Sequence, residues 1–198
     1  RVGTRNHVLV VPTVICSSVV AERIAAAIGP TGTALPHLAG CGQLGPDMRL
    51  THDPLAAYCG HPNVGAVLVV ALGCEQVVAQ VLADAARRHG KPARIIAIQG
   101  EGGTVRATAK GIEIATALAA EIAVQQREWC EMSDLVLSLK CGGSDYTSGL
   151  ASNPTLGRVA DRFVDLGGSA VLGEIAEIMG AEHLLAARAT RPATSDRL

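Results

Sequence analysis

Short, nearly unbroken aliphatic runs alternate along this chain with longer segments in which apolar residues return every three or four positions. The clearest runs are Val8-Leu9-Val10-Val11, Val67-Leu68-Val69-Val70-Ala71-Leu72 and Leu135-Val136-Leu137-Ser138-Leu139, with weaker ones at 31–35, 93–98 and 169–172. Runs this short and this uniformly apolar read as strands covered on both faces, as in parallel sheets. The segments between them have helical period and end in breakers such as Gly29-Pro30 and Gly90-Lys91-Pro92. The pattern predicts strands over 7–14, 31–35, 66–72, 93–98, 135–139 and 169–172. It predicts helices over 19–28, capped by Ser17-Ser18, and over 75–89, 104–128 and 155–166, then two short helices within 175–188. A long loop is expected over 36–53, with Asp53-Pro54 opening a short helix to Cys59. Strand and helix alternating at this spacing predict an α/β fold, a mainly parallel sheet flanked by helices, Rossmann-like, with at least five parallel strands. A single domain over 1–189 and a polar tail over 190–198 complete the expectation.

Composition sharpens the class. Of the 198 residues 48% are apolar and only 2% aromatic, which suits aliphatic strands under close-packed helices. The net charge is −1 and no basic run exceeds Arg87-Arg88, so neither a nucleic-acid nor a membrane-surface footprint is present. No apolar run reaches the ~18 residues of a membrane span. The six cysteines include no C-x-x-C pair and lack the spacing of a disulfide scaffold, which favours free thiols or metal ligands and a cytoplasmic setting. A small molecule or another protein is the expected partner.

Candidate chemistry gathers where strands end. Cys16, Cys74 and Cys141 each follow a strand, and Cys41 lies in the loop after the second one. In open parallel sheets those ends face one rim, where ligands bind. Cys41, Cys74 and Cys141 are candidate metal ligands, because thiolates hold iron or zinc and nearby imidazole or carboxylate completes the shell. His37, Glu75 and Asp145 stand beside them as ligands or acid–base groups. The alternative is that each cysteine is a small buried hydrophobe at a tight turn, the role expected for Cys59 and Cys130 on predicted helices. Two glycine-rich turns are candidate substrate-binding elements: Gly102 and Gly103 with Thr104, which opens a helix whose amino end favours anions, and Gly142 and Gly143 with Ser144. Neither fits a dinucleotide or P-loop pattern.

A series of phrases in order carries a resemblance: Val2-Gly3-Thr4-Arg5-Asn6-His7, Pro12-Thr13-Val14-Ile15-Cys16-Ser17, His37 through Gln43, His61-Pro62-Asn63-Val64, Leu72-Gly73-Cys74-Glu75, Cys141 through Asp145 with Ser148-Gly149, Asn153-Pro154 and Gly180-Ala181-Glu182-His183-Leu184-Leu185. Together they resemble the altronate/galactarate dehydratase family, which also includes a sulfolactate sulfo-lyase large subunit. One departure is Gly173-Glu174-Ile175, where relatives typically read Ser-Glu-Thr.

The resemblance implies a domain of a cytoplasmic, Fe2+-dependent hydro-lyase that converts a sugar acid to a 2-keto-3-deoxy acid, with an iron–sulfur cluster as the alternative centre. It implies a central α/β domain working with other domains or subunits of the same enzyme, and leaves room for a homo-oligomer. A lyase expelling sulfite from sulfolactate, or a non-catalytic scaffold domain of such an enzyme, are the competing expectations.

Overall fold

The computed structural model describes residues 2–140, 142–143 and 145–197. They divide into two compact units, Val2–Glu128 and Trp129–Leu198. Among the described residues six strands lie in two separate sheets, four in the first unit and two in the second, instead of one sheet of at least five. Where the pattern suggested a single domain over 1–189, the structure has these two units.

In the first unit, β1 (His7–Pro12), β2 (Gly32–Ala34), β3 (Val64–Ala71) and β4 (Ala93–Ala97) form a wholly parallel sheet in the order β2-β1-β3-β4. Helices α1 (Ile15–Ala27), α2 (Gly45–Cys59), α3 (Ala79–Arg87) and α4 (Thr104–Ala123) cover it. Side chains alternate across a strand, so Val8, Val10, Leu68, Val70 and Ile96 pack with α1 and α4 through Ile24, Leu118 and Ile122. Leu9, Val11, Val67, Val69 and Ala93 pack with α2 and α3 through Leu55, Cys59 and Leu82. All eight residues of β3 are buried, which is why that stretch reads as continuous aliphatic sequence. The crossovers from β1 and from β3 leave in opposite directions. With one handedness for both, α1 and α3 must then lie on opposite faces, as they do. The carboxyl ends of β1 and β3 are therefore the topological switch point of the sheet, the place where ligands bind in folds of this class.

Several element boundaries differ from expectation for local reasons. Helix α1 starts at Ile15, ahead of the serines, and Ser17 is buried within it, its hydroxyl donating to the Val14 carbonyl at 2.9 Å. Much of the expected 36–53 loop is helix: α2 begins at Gly45 with Pro46 in its first turn, where a missing N–H costs nothing, and runs through Pro54. Buried Leu55 and Cys59 anchor the turn that Pro54 weakens. Helix α3 starts four residues late because Glu75 holds the preceding turn, as described below.

The second unit holds β5 (Val136–Leu139) and β6 (Ser169–Leu172), parallel and joined through α5 (Asn153–Asp165). A π-helical turn over Ser148–Ser152 precedes α5. Pro154 has no N–H to return to the turn before it, which accounts for the widened winding there. Two short helices, α6 (Glu182–Ala186) and α7 (Pro192–Ser195), follow, so the expected polar tail carries a turn of helix. Leu139 is the one buried hydrophobic residue of this unit among the described residues. Cys130, expected on a helix as a packing residue, is exposed and outside any helix.

Candidate functional site

At the switch point the chain past β1 turns inward at Thr13, which is fully buried. Its amide donates to the Val70 carbonyl at 3.1 Å, and its hydroxyl donates to Glu75 Oε1 at 2.6 Å. Glu75 folds back over its own turn: Oε1 accepts the Leu72 amide at 3.1 Å and Oε2 the Gly73 amide at 2.6 Å. Burial, the largest single influence on this carboxyl, favours its protonated form. The Thr13 hydroxyl and the amides of Gly73, Glu75 and Leu72 together outweigh it and hold the group below its ordinary range. Expected as a ligand or acid–base group, Glu75 has both oxygens committed within the protein.

The loop after β2 closes over the same place. His37 is half-buried; its Nε2 lies 2.9 Å from the Pro12 carbonyl and its Nδ1 accepts the Ala39 amide at 3.2 Å. These partners assign the proton to Nε2 and leave neither ring nitrogen open. The Ser18 hydroxyl donates to the His37 carbonyl at 3.1 Å, and the Ala39 carbonyl accepts the Ile15 amide at 2.9 Å. That contact occupies a donor of the α1 amino end, so this end is closed by the loop. Gly40 has φ +95°, and a Cβ there would lie 2.4 Å from the Thr13 carbonyl oxygen, so only glycine lets the loop come this close.

The loops bearing Cys41 and Cys74 are neighbours. The Gln76 amide donates to the Gly40 carbonyl at 3.4 Å, and the Gln76 side-chain oxygen accepts the Gln43 amide at 2.8 Å. Gln43 in turn donates to the Thr51 hydroxyl at 2.8 Å and accepts the Gly40 amide at 3.0 Å. Cys16, Cys41 and Cys74 are free and exposed, while Cys59 is buried. The small-hydrophobe alternative therefore describes Cys59 alone among these four. Among the described residues no group of three or more His, Cys, Asp or Glu side chains is placed to share a metal ion. Cys141 and Ser144 lie outside the described residues.

The remaining candidates are structural in their visible contacts. Gly102 and Gly103 take φ +81° and +115°, and their amides donate back to Gln99 and Ile98 in the turn that starts α4 at Thr104. In the second unit, Asp145 Oδ1 accepts the amides of Thr147 at 2.7 Å and Ser148 at 3.1 Å and the Thr147 hydroxyl. The Thr147 hydroxyl, followed by those amides, holds the Asp145 carboxyl below its ordinary range. Gly142 and Gly143 have open space around them, and the Gly143 carbonyl accepts the Ser148 hydroxyl at 2.9 Å. Sequence reasoning gave no role to Thr13, Gln43 or Gln76. A signal existed for Thr13, a hydroxyl placed directly after an all-apolar strand.

Fold and site together define an open parallel α/β unit whose switch point carries two exposed thiols on cross-linked loops, the usual location of a small-molecule site in this class. The chain belongs to the D-galactarate dehydratase/altronate hydrolase family: the model of that family's second domain matches residues 1–123. The family's C-terminal domain model matches residues 132–198, so the chain matches two family domains where one central domain was expected. It is 38% identical over 199 residues to the (2R)-sulfolactate sulfo-lyase subunit beta of Chromohalobacter salexigens, covering 100% of the chain and 50% of that protein. It is 38% identical over 212 residues to an altronate dehydratase of Escherichia coli, covering 100% of the chain and 41% of that protein. With an altronate dehydratase of Bacillus subtilis it shares 36% over 196 residues, 94% of the chain and 39% of that protein. The chain thus spans half or less of the length of these relatives. No solved structure matches it significantly. Among the described residues no helix is long and apolar enough to cross a membrane.

Proposed function

We propose that this chain is part of a cytoplasmic lyase that dehydrates a sugar acid of altronate or galactarate type to a 2-keto-3-deoxy acid. The observation that carries the reading is the pair of exposed thiols, Cys41 and Cys74, on hydrogen-bonded loops at the switch point, in a chain whose relatives include altronate dehydratases.

Thiolates are suitable ligands for Fe2+, and Cys41 and Cys74 would be the donors to it from the first unit. When bound, such an ion supplies Lewis acidity that stabilises negative charge developing beside the substrate carboxylate and polarises a hydroxyl leaving group. The protein's own contribution is fixed geometry. His37 pins its loop to the end of β1 through Pro12, and Gln43 and Gln76 tie that loop to the turn after β3. Asp145 holds the start of the helical segment after the second glycine turn, and Gly142 and Gly143, with open space around them, would offer backbone groups to a carboxylate or hydroxyls. Gly102, Gly103 and Thr104 would present the amino end of α4 to the same anionic class of substrate. Because the chain covers half or less of its relatives, the activity belongs to an assembly with further domains or subunits.

Expulsion of sulfite from sulfolactate is the second reading, favoured by the 38% identity over the whole chain to a sulfo-lyase subunit. Both reactions begin with proton removal next to a carboxylate and differ in the leaving group. The test is turnover of the complete enzyme with Fe2+ on aldonates, aldarates and sulfolactate. Cys74→Ser and Cys141→Ser are expected to lose iron and turnover together, while Cys59→Ala and Cys130→Ala retain most turnover. Equal, mild losses in all four would make the rim thiols structural and favour a scaffold role.

A further inference from the structure

We infer that Thr13 and Glu75 form a positioning pair that fixes the Cys74 turn against the Cys41 loop, so that Glu75 acts through its neighbours and not as a ligand or proton carrier. The inference deepens the proposed function and rests on its reading of Cys41 and Cys74 as metal-holding thiols.

The geometry singles out this pair. Thr13 is fully buried at the end of β1 and faces three elements: its amide binds β3 at Val70, its carbonyl packs against Gly40 of the Cys41 loop, and its hydroxyl reaches Glu75. Glu75 then gathers three donors, the Thr13 hydroxyl and the amides of Leu72 and Gly73, at 2.6 to 3.1 Å. The amides belong to the two residues before Cys74, so the carboxylate closes a ring around the thiol-bearing residue and anchors that ring to β1. Gln76, one residue beyond, extends the same turn to Gly40 and Gln43. A side chain that accepts from its own turn on both oxygens stabilises that turn's shape. A free acid or base would instead present an oxygen to the open rim. The roles divide by position: Cys74 is exposed, and Glu75 beside it is half-buried and turned inward to Thr13.

Three substitutions separate the possibilities. Thr13→Val keeps the shape and removes the hydroxyl, whereas Thr13→Ser keeps the hydroxyl. Glu75→Gln turns one acceptor into a donor, which forces an N–H against an N–H at Gly73 or at Leu72. In the full chain, amide hydrogen exchange at Leu72 and Gly73 and alkylation of Cys74 are measured, with Cys130 in the other unit as the internal control. Thr13→Val and Glu75→Gln are expected to raise exchange at those amides at least tenfold and to change Cys74 alkylation severalfold, leaving Cys130 unchanged. Thr13→Ser is expected to match the parent. Co2+ titration, followed by its thiolate charge-transfer band, should weaken at least tenfold in Thr13→Val and recover in Thr13→Ser.

Parent-like exchange and alkylation in both Thr13→Val and Glu75→Gln would overturn the positioning role, and so would a Glu75→Gln chain that binds Co2+ as tightly as the parent. If the parent gives no Co2+ band while exchange and alkylation respond as stated, the metal reading fails and the positioning pair stands. Should Thr13→Val not fold, Thr13→Ser against Glu75→Gln gives the same decision.

Discussion

Leu68 in β3 and Leu172 in β6 both lie in parallel strands reached through a helical crossover, yet Leu68 is fully buried and Leu172 is 63% exposed. The difference is one of layers. In the first unit four strands have helices on both faces, so every residue of β3 has neighbours above and below. In the second unit two strands carry one long crossover helix, and every residue of β6 remains exposed. Two strands offer no central position, and burial on both faces needs one. An apolar run thus records a preference for burial that only a sufficiently large set of covering elements can satisfy.

The largest expected effect breaks the comparison directly. Leu68→Ala should destabilise the first unit by about 2–5 kcal/mol, because the cavity forms among fully packed neighbours. Leu172→Ala, at an exposed position, should stay within about 0.5 kcal/mol. Urea unfolding of both variants checks the pair, and equal effects would mean that β6 is buried in solution.

Alkaline pH should withdraw the contribution of Cys59 in the first unit. Burial pushes the Cys59 thiol up to about 12, against an opposing pull from the Lys91 charge. A raised folded value means that the unfolded chain loses its proton first. The thiol's contribution is therefore complete below its ordinary value of 9.0 and disappears as pH rises toward 12. Each pH unit in that window removes at most about 1.4 kcal/mol. Thermal unfolding between pH 8 and 11 should show this slope in the parent and a flatter one in Cys59→Ala.

At the acid end the sign reverses. Glu75 is held below its ordinary value of 4.5, so its contribution is present above that value and lost as pH falls through the folded one. Glu75→Gln should start from a lower stability near neutrality and lose less of it on acidification. Parallel acid titrations of parent and variant, with amide exchange at Leu72 and Gly73 as the local probe, test this. A parent and variant with the same acid limb would remove Glu75 from the account.

The smallest effect belongs to the second unit. Lys140 and Glu174 form an ion pair at 3.0 Å with exposed side chains, and pairs of this kind are worth roughly 0–1 kcal/mol and are screened by salt. Lys140→Ala should shift unfolding within that range at low salt and by less at high salt. A salt-independent loss would point to a buried pair.

Much of this was legible in the chain. The runs that became β1, β3 and β4 stand out because burial on both faces removes polar alternation, and the glycine turns mark the starts of helices. The short β2 was legible mainly from its place between breakers. The Pro36–Asp53 stretch misled because Pro54 argues against helix locally, while the anchoring of Leu55 and Cys59 against β1 and β3 is a long-range effect. The site was half legible. Cysteines at strand ends are visible as a pattern, but the hydrogen bonds that commit both Glu75 oxygens and both His37 nitrogens join residues up to 62 positions apart.

By itself, then, the sequence determined the α/β alternation, the parallel pairing and the family. These follow from local period, breaker residues and the order of short phrases, which neighbours along the chain already contain. Tertiary structure alone decided that the fifth and sixth strands form their own sheet, that Cys59 is buried while Cys41 and Cys74 are exposed, and that Glu75 turns inward to Thr13. Each of these depends on which surfaces meet across the fold. Apolar residues seek burial without specifying a partner, and a carboxylate's role is set by the donors that reach it.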